Sequence, residues 1–231
     1  MKVGFLSEEE LETVALETLG SYGRRFEEVL SPPVPVEEIL ECDLELDFGL
    51  EDLAEAGLGE DALGAIWAAE RRVRVDSSLD PTEFPAKESR YRFTVGHEVG
   101  HWQLHRHLFL ANVGQDSLFG APSEPSVVCR ARYSRKPPIE WQADAFAAHL
   151  LMPKHMVAQA WEESRGTLDP LFVDEESPSA TAGRRRFRSG TAGAVTWELS
   201  REFRVSPPAM KIRLGSIRLL RSHVRRDSMF G

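Results

Sequence analysis

The chain has 231 residues, of which 42% are hydrophobic and 28% are charged, and its formal net charge is −9. This composition is ordinary for a soluble globular protein of one or two domains with a real core. No stretch approaches the roughly 18 apolar residues that a membrane helix needs, and the N-terminus lacks the pattern of a secretory signal, so we expect a cytoplasmic protein. The two cysteines, Cys42 and Cys129, are too few for a disulfide framework, and we interpret both as reduced and structural.

Hydrophobic periodicity predicts a mixture of helices and strands in the first third of the chain. Ser7, followed by three acidic residues and an apolar pattern, is typical of a capped helix, which we expect to end at Gly20. Alternating apolar and polar residues favour strands in the region that follows. The elements predicted there are a short helix at 36–40, a strand at 44–48 and a hairpin of strands at 64–68 and 71–75.

An H-E-x-x-H motif occupies residues 97–101, inside a stretch, 90–105, that we predict to be helical. Residues four apart share one face of a helix, so His97 and His101 present their imidazoles to a common point while Glu98 flanks it. Imidazole is a preferred zinc ligand, and a catalytic zinc site has three protein ligands and one open position. The motif therefore predicts two zinc ligands and a carboxylate, Glu98, that can take a proton from water.

A second helix is predicted over 139–153, where apolar residues recur at helical spacing. Glu140 and Asp144, four residues apart, share a face beside the apolar stripe. We expect Glu140 to be the third metal ligand. We expect Asp144 to accept a hydrogen bond from the outer nitrogen of a ligand histidine, because such carboxylates fix the ring tautomer. Gly96 and Gly100 each stand just before a proposed ligand histidine. They indicate that another element approaches the H-E-x-x-H helix closely.

Another histidine competes for the third ligand position. His107 stands six residues past His101, where the longer H-E-x-x-H-x-x-G-x-x-H pattern has its last ligand. That pattern needs a glycine to turn the chain, and this sequence has Leu104 there, so we expect the helix to continue and to carry His107 away. His105, one turn beyond His101, is interpreted as a packing or capping residue. Glu140 is the favoured candidate and His107 the alternative.

The expected cofactor is one zinc ion per chain. Two imidazoles and one carboxylate also accept manganese or iron, so the ligand set leaves the identity of the metal open. A closed structural zinc site usually has four protein ligands and needs no general base. Here Glu98 is present and a fourth ligand is not evident from the sequence, which favours a catalytic site.

The segments around the second motif show little periodicity. Residues 109–138 are interpreted as a loop that borders the site, with a short strand at 127–129. A helical pattern restarts after the second motif and continues through Trp161. Residues 161–194 are rich in Ser, Gly, Asp and Arg, which is typical of a flexible insertion or linker.

Two helices are predicted within residues 195–231, joined by a tight corner at 204–207 in helix-turn-helix geometry. Arginines dominate residues 184–226, so any anion-binding surface belongs to this part of the chain. Helix-turn-helix packing also serves plain structure, and the whole chain is acidic, so we favour a packing module or a dock for a protein substrate over DNA binding. The basic residues that could contact phosphates are Lys211, Arg213, Arg218, Arg221, Arg225 and Arg226.

The motifs resemble those of the ImmA/IrrE family of metallopeptidases. The likeness spans roughly residues 32–220, is strong at the two motifs and is weak elsewhere. It rests on the H-E-x-x-H motif with Arg92-Phe93 before it, the F-A-x-x-L-L-M-P run at 146–153, and the pairs Val205-Ser206 and Arg213-Leu214. The resemblance implies an α+β fold: a zincin-like minimal core with a small, mostly antiparallel sheet beside the H-E-x-x-H helix, plus a helix-turn-helix-like C-terminal unit. An edge strand of that sheet would hold an extended substrate.

The same resemblance implies zinc-dependent hydrolysis of a peptide bond. The implied substrate is a helix-turn-helix transcriptional repressor of the Xre type, cut once in a stress or mobile-element response. We expect a metallopeptidase domain at 1–160, the flexible insertion at 161–194 and the helix-turn-helix-like region at 195–231. An alternative from another class is a DNA- or repressor-binding regulator, or a toxin-like partner of an antitoxin, whose metal site is structural or vestigial.

Overall fold

The computed structural model describes residues 3–111, 124–173 and 191–222. These residues form seven α-helices and six strands, an α+β architecture of the class that the sequence predicted. The chain divides into two compact units, Met1–Pro153 and Lys154–Gly231. Within the described ranges, no helix combines the length and the apolar character that crossing a membrane requires.

The first helix, α1 (Glu8–Arg25), begins with the predicted cap. The backbone nitrogen of Glu10 donates to the hydroxyl of Ser7, and the carboxylate of Glu10 accepts from the backbone nitrogen of Ser7 in return. The predicted end at Gly20 was wrong, because the helix continues to Arg25 and buries Tyr22 beyond the glycine. A glycine inside a helix costs only about 1 kcal/mol, which the packing of a buried tyrosine can outweigh.

A four-stranded mixed sheet follows α1 and a short helical segment. That segment consists of α2 (Val36–Glu38) and a π-helical turn at Ile39–Asp43. The strands lie in the order β1-β3-β2-β4, with β2 antiparallel to both of its neighbours and β1 parallel to β3. The strands are β1 (Asp47–Glu51), β2 (Ala62–Trp67), β3 (Arg72–Asp76) and β4 (Val127–Arg130).

The predicted hairpin of β2 and β3 is confirmed, as is the short strand that became β4. The strand predicted at 44–48 begins only at Asp47. Glu45 has a φ of 53°, a left-handed conformation that breaks an extended run, and Leu46 donates from its backbone nitrogen to Leu40. The polar and apolar alternation therefore began in a turn rather than in the strand itself.

The long helix α3 (Glu88–Ala111) lies at the centre of the first unit. It packs on β2 and β3 on one side and on α4 (Pro138–Leu151) on another, and α1 packs on α4 in turn. Every residue from position 94 to position 102 is buried. A helix that is covered on all sides shows no single apolar stripe, so its polar residues must be satisfied inside the protein.

The second unit contains three helices and a two-stranded parallel ribbon among its described residues. Helices α6 and α7 pack on one another across the predicted corner, and the hydroxyl of Ser206 caps α7 by accepting from the backbone nitrogen of Ala209. The elements are α5 (Lys154–Arg165), β5 (Leu171–Val173), α6 (Thr191–Glu202), α7 (Pro207–Ser216) and β6 (Leu220–Ser222), with β5 paired to β6.

The expected insertion at 161–194 has regular structure at both ends. Helix α5 continues to Arg165, β5 lies at Leu171–Val173, and α6 begins at Thr191. Residues 174–190, which include the arginine cluster at 184–188, lie outside the described residues, as do Arg225 and Arg226.

Candidate metal centre

Helix α3 presents His97 and His101 on one face, as their spacing predicted. Their Nε2 atoms lie 3.0 Å apart, and the ring centroids lie 4.6 Å apart in an edge-to-face arrangement. The two side chains are 1% and 0% exposed. Two imidazole nitrogens therefore meet at a single buried point.

Helix α4 brings the carboxylate of Glu140 to the same point. Its Oε2 atom lies 3.3 Å from Nε2 of His97, and its Oε1 atom lies 3.3 Å from Nε2 of His101. A tetrahedral zinc ion with bonds of about 2.0 to 2.1 Å places its donors about 3.3 Å apart. The three side chains thus fit such an ion in both chemistry and spacing, and together they can hold a metal.

Two glycines of α3 allow α4 to come this close. A Cβ atom at Gly100 would lie 3.0 Å from Cδ1 of Phe146 and 3.1 Å from the carbonyl oxygen of Ala143. At Gly96 the nearest atom, Cβ of Ala147, would lie 3.4 Å away. The close approach that these glycines predicted is confirmed, and the approaching element is α4. Because α4 lies so close to α3, Glu140 reaches the two histidines.

Glu98 points from α3 toward the sheet and is completely buried. Neither of its carboxylate oxygens has a hydrogen-bond partner among the described residues. Burial raises the pKa of Glu98 to about 8, although the charge of His97 opposes the shift. Gly64 on β2 faces this carboxylate, and a Cβ atom there would lie 2.5 Å from Oε1. Glu98 therefore occupies space that only a glycine at position 64 leaves open.

Asp144 lies one turn after Glu140 on α4 and contacts His97 from the outside. Its Oδ1 atom lies 2.8 Å from Nδ1 of His97, and its Oδ2 atom forms an ion pair with Lys136. Burial alone would raise the pKa of Asp144, but the contacts with His97 and Lys136 outweigh it and lower that pKa. An ionised carboxylate can only accept, so Nδ1 of His97 carries a proton. When the ring is in its neutral form, which is the form that binds a metal, the lone pair on Nε2 faces the metal point, the place where both Nε2 atoms meet the carboxylate of Glu140.

Burial and contact also set the ionisation of the other two donors. Burial lowers the pKa of His101 to about 4, even though Glu140 opposes the shift. Burial alone would raise the pKa of Glu140, but hydrogen bonds with His101 and His97 hold it well below its usual range. Near neutral pH the imidazole of His101 is uncharged and Glu140 is a carboxylate, which are the forms that bind metal ions.

The alternative third ligand, His107, lies away from this point. Helix α3 continues without a break to Ala111, as Leu104 at the turning position predicted, and the side chain of His107 is exposed. His107 belongs to neither of the donor groups found among the described residues. The structure therefore brings Glu140, and not His107, to the two histidines.

His105 makes polar contacts that the interpretation as a packing or capping residue did not foresee. Its Nδ1 atom lies 3.1 Å from Nδ1 of His101, and its Nε2 atom lies 2.9 Å from Oε1 of Gln142 on α4. Both rings also pack near Phe109. Like His97, His101 thus has a partner for its outer nitrogen.

Cys129 on β4 also faces the site, which sequence reasoning missed. It pairs with Gly64 across the β2–β4 ladder, and cross-strand partners share a face of the sheet. Its sulfur lies within 4.8 Å of donor atoms of His97 and Glu98, a second group that shares only His97 with the first. Burial raises the pKa of this thiol. A strand residue outside both motifs carries no local signal of such a position.

Tyr133 lies between β4 and the metal point. Its hydroxyl donates to Oε2 of Glu140 at 2.6 Å and accepts from the backbone nitrogen of Arg130 at 2.9 Å. Burial and the hydrogen bond to Glu140 raise the pKa of Tyr133 well above its usual value. The neighbouring loop arginines, Arg132 and Arg135, are exposed. Of these loop residues, Tyr133 is the one that contacts a metal-site residue.

Together, the α+β fold and the H-E-x-x-H helix, with a third donor from the next helix, define a metallopeptidase of the H-E-x-x-H class. The family model of the IrrE N-terminal-like domain, Peptidase_M78, matches residues 70–215, which is more than half of the chain. The chain therefore belongs to this family of ImmA/IrrE metallopeptidases, as the resemblance of its motifs predicted. Membership implies a zinc metallopeptidase. A search among curated proteins found no match.

Proposed function

We propose that the chain hydrolyses a peptide bond with one zinc ion held by His97, His101 and Glu140, and that Glu98 transfers the proton. One observation carries this proposal: three buried donors converge at 3.0 to 3.3 Å beside a buried carboxylate. That carboxylate has no hydrogen-bond partner among the described residues. Burying an unpaired carboxylate costs folding free energy, which favours a functional reason for its presence.

The zinc ion and Glu98 have separate roles in the proposed hydrolysis. A bound zinc ion supplies Lewis acidity, which polarises a carbonyl group and lowers the pKa of water from about 15.7 to about 7. In its ionised form, Glu98 takes a proton from the attacking water and delivers it to the amine that leaves. Both of its oxygens are available for this transfer, and Gly64 leaves the space that the carboxylate occupies.

Two further residues position the proposed ligands. Asp144 accepts a hydrogen bond from Nδ1 of His97 and so holds the Nε2 lone pair toward the ion. Tyr133 donates to Oε2 of Glu140 and restrains the carboxylate from the side of β4. Lys136 is the ion-pair partner of Asp144. These residues act through the ligands and not on the substrate itself.

Strand β4 is the proposed binding edge for an extended substrate. Among the described strands, β4 pairs with β2 alone, so its other side can accept a further strand. Cys129 of this strand faces His97 and Glu98, which puts the main chain of β4 beside the metal point. The opposite edge, β1, pairs with β3 and is separated from β4 by two strands. A peptide added along β4 would therefore pass the catalytic groups.

For the substrate, we propose a helix-turn-helix transcriptional repressor of the Xre type, cut at a single bond in a stress or mobile-element response. Family membership supports this choice. The α6–α7 corner supplies a second, smaller argument, since a two-helix unit capped by Ser206 offers a surface on which another helical protein can dock. The exposed side chain of Ile212 on α7 is an apolar contact point for such a partner.

The alternative, a DNA- or repressor-binding regulator, depends on the same corner. The geometry suits a groove-binding helix, but the basic surface is smaller than the sequence predicted. Arg213, on the helix α7 that packs on α6, is only 4% exposed. The exposed basic residues that remain in the described part of this unit include Lys211, Arg218 and Arg221. We therefore rank DNA binding below docking of a protein substrate.

A cleavage assay with a matched variant tests the proposed function. Wild-type protein and Glu98→Gln are each loaded with zinc or manganese, and the metal is counted by mass spectrometry. Each is then incubated with a candidate repressor, and the fragments are identified by intact mass. We expect about one zinc ion per chain in both proteins, and a single cut by wild type that Glu98→Gln makes at least 100-fold more slowly.

Two outcomes would reverse the ranking of the functions. Wild-type protein that holds no metal after zinc is supplied contradicts the peptidase. A repressor that is bound but left intact by wild type and by Glu98→Gln alike favours the regulator. Replacing Glu140 with alanine supplies the metal control, since loss of zinc in that variant and its retention in His107→Ala identify the third ligand.

A further inference from the structure

A buried chain of polar contacts connects His101 to the segment that precedes α1. Nδ1 of His101 lies 3.1 Å from Nδ1 of His105, and Nε2 of His105 lies 2.9 Å from Oε1 of Gln142. The side-chain nitrogen of Gln142 donates to the carbonyl oxygen of Gly4 at 2.7 Å. The three side chains are buried, so water competes little for these hydrogen bonds.

Gly4 determines the direction of every hydrogen bond in this chain. A backbone carbonyl oxygen can only accept, so the amide of Gln142 must turn its nitrogen toward Gly4 and its oxygen toward His105. An oxygen that faces Nε2 of His105 requires the proton of that ring to be on Nε2. The other nitrogen of neutral His105, Nδ1, is then an acceptor.

The same logic assigns the proton of His101. Its Nδ1 atom faces the acceptor nitrogen of His105 and must therefore be the donor. The remaining nitrogen, Nε2, is left with a lone pair, and it lies 3.0 Å from Nε2 of His97 and 3.3 Å from Oε1 of Glu140. This is the tautomer in which an imidazole binds a metal through Nε2.

We propose that Gly4, Gln142 and His105 form a positioning relay that holds His101 in its metal-binding tautomer, an inference that rests on the proposed role of His101 as a ligand. The backbone of the segment before α1 is then part of the metal site. The two ligand histidines are oriented by different means. Asp144, which is 32% exposed and charged, orients His97, whereas a buried neutral chain orients His101.

A second contact fastens the same part of the chain to α4. Glu8, in the first turn of α1, places Oε2 at 2.8 Å from Nε2 of the buried His149. Gln142 and His149 both belong to α4, the helix that also carries Glu140. The relay and this contact therefore tie the N-terminal segment to the helix that supplies the third donor.

Zinc affinity of full-length variants tests the relay. Wild type, His105→Phe, Gln142→Leu and His107→Phe are titrated against a chelator of known zinc affinity. His107→Phe is the matched control, because His107 lies on the same helix but is exposed. We expect His105→Phe and Gln142→Leu to bind zinc about 10- to 100-fold more weakly than wild type, because removing a hydrogen-bond partner of a metal ligand lowers metal affinity by about this much. We expect His107→Phe to bind zinc as tightly as wild type.

A measurement on wild type alone removes any dependence on how the variants fold. Heteronuclear NMR of the imidazole nitrogens shows which nitrogen carries the proton, and we expect Nε2 for His105 and Nδ1 for His101. A proton on Nδ1 of His105, or wild-type zinc affinity in both variants, overturns the relay and leaves the proposed function standing. Wild-type protein that binds no zinc contradicts the proposed function instead, and the NMR result still decides the relay.

Discussion

Gly64 on β2 lies so close to Glu98 on α3 that a Cβ atom at position 64 would be 2.5 Å from Oε1 of the carboxylate and 3.0 Å from Cγ2 of Thr94. Real Cβ atoms do not come that close to other atoms, so any side chain at this position must displace Glu98. The glycine belongs to a strand, where it packs no side chain of its own. A glycine is needed at this position because the carboxylate of Glu98 on α3 occupies the space that a side chain would take.

Gly64→Ala should therefore impair catalysis while leaving the metal bound. Displacing a catalytic group by about 1 Å costs on the order of 100-fold in rate. The three atoms nearest to the added methyl group belong to Glu98 and Thr94, and not to His97, His101 or Glu140. The measurement is kcat for repressor cleavage together with zinc content. Gly215→Ala is the control, since a Cβ atom there would meet no atom within 4 Å apart from its chain neighbours and the backbone of its own helix. Equal rates for the two variants would contradict the prediction.

Removal of Asp144 should weaken metal binding more than removal of its ion-pair partner. Asp144→Ala leaves the Nδ1 hydrogen of buried His97 without its acceptor, and loss of such a partner lowers metal affinity about 10- to 100-fold. Lys136→Ala removes only a half-exposed partner of the same carboxylate, and such pairs contribute about 1 kcal/mol or less. Competition with a chelator of known zinc affinity measures the zinc affinity of both variants. Similar losses in the two variants would show that the carboxylate depends on the lysine.

Substitutions at the two glycines of α3 should have different effects on stability. In Gly100→Ala the new methyl group meets Phe146 and the backbone of Ala143 at 3.0 to 3.2 Å, so α4 must shift, at a cost of about 1 to 3 kcal/mol. In Gly96→Ala the nearest contact is 3.4 Å, and the gain in helix propensity of about 1 kcal/mol offsets it. Urea unfolding of the metal-free proteins measures the free energies. A loss at Gly96 as large as at Gly100 would argue against this account.

Cys129 should not be needed for metal binding. The thiol shares a donor group with His97 and Glu98 but is not part of the group that contains His101 and Glu140. We expect Cys129→Ala to retain about one zinc ion per chain and to cleave within a few-fold of wild type. Cys42→Ala, which changes an exposed cysteine, is the control. Loss of zinc in Cys129→Ala alone would identify a fourth protein ligand and favour a structural metal site.

The predictions from sequence that the structure confirmed concern residues close to one another in the chain. The four-residue spacing of His97 and His101 places them on one helical face whatever else the protein does, because the helix repeats every 3.6 residues. The cap at Ser7, the hairpin of β2 and β3 and the continuation of α3 past Leu104 follow from equally local rules. Local geometry also indicated that Gly96 and Gly100 face a close neighbour.

The errors of prediction arose where packing outweighed local preference. Helix α1 runs through Gly20 because Tyr22 is buried beyond it, and β1 starts late because Glu45 turns the chain. The chemistry of Arg213 predicted a surface residue, yet only 4% of it is exposed. In α1 and α7 burial decided the outcome, and burial depends on residues distant in sequence. At β1 the left-handed backbone of Glu45 decided it.

By itself, the sequence determined the family, the H-E-x-x-H helix and the choice of Glu140 over His107, since each depends on spacing within one helix or on a motif. Only the tertiary structure decided which distant groups meet these residues. Gly64 faces Glu98 because β2 packs on α3, and Gly4 reaches His101 through Gln142 because α1 and its preceding segment pack on α4. Such contacts are set by how the elements pack, and neither spacing nor periodicity along the chain encodes them.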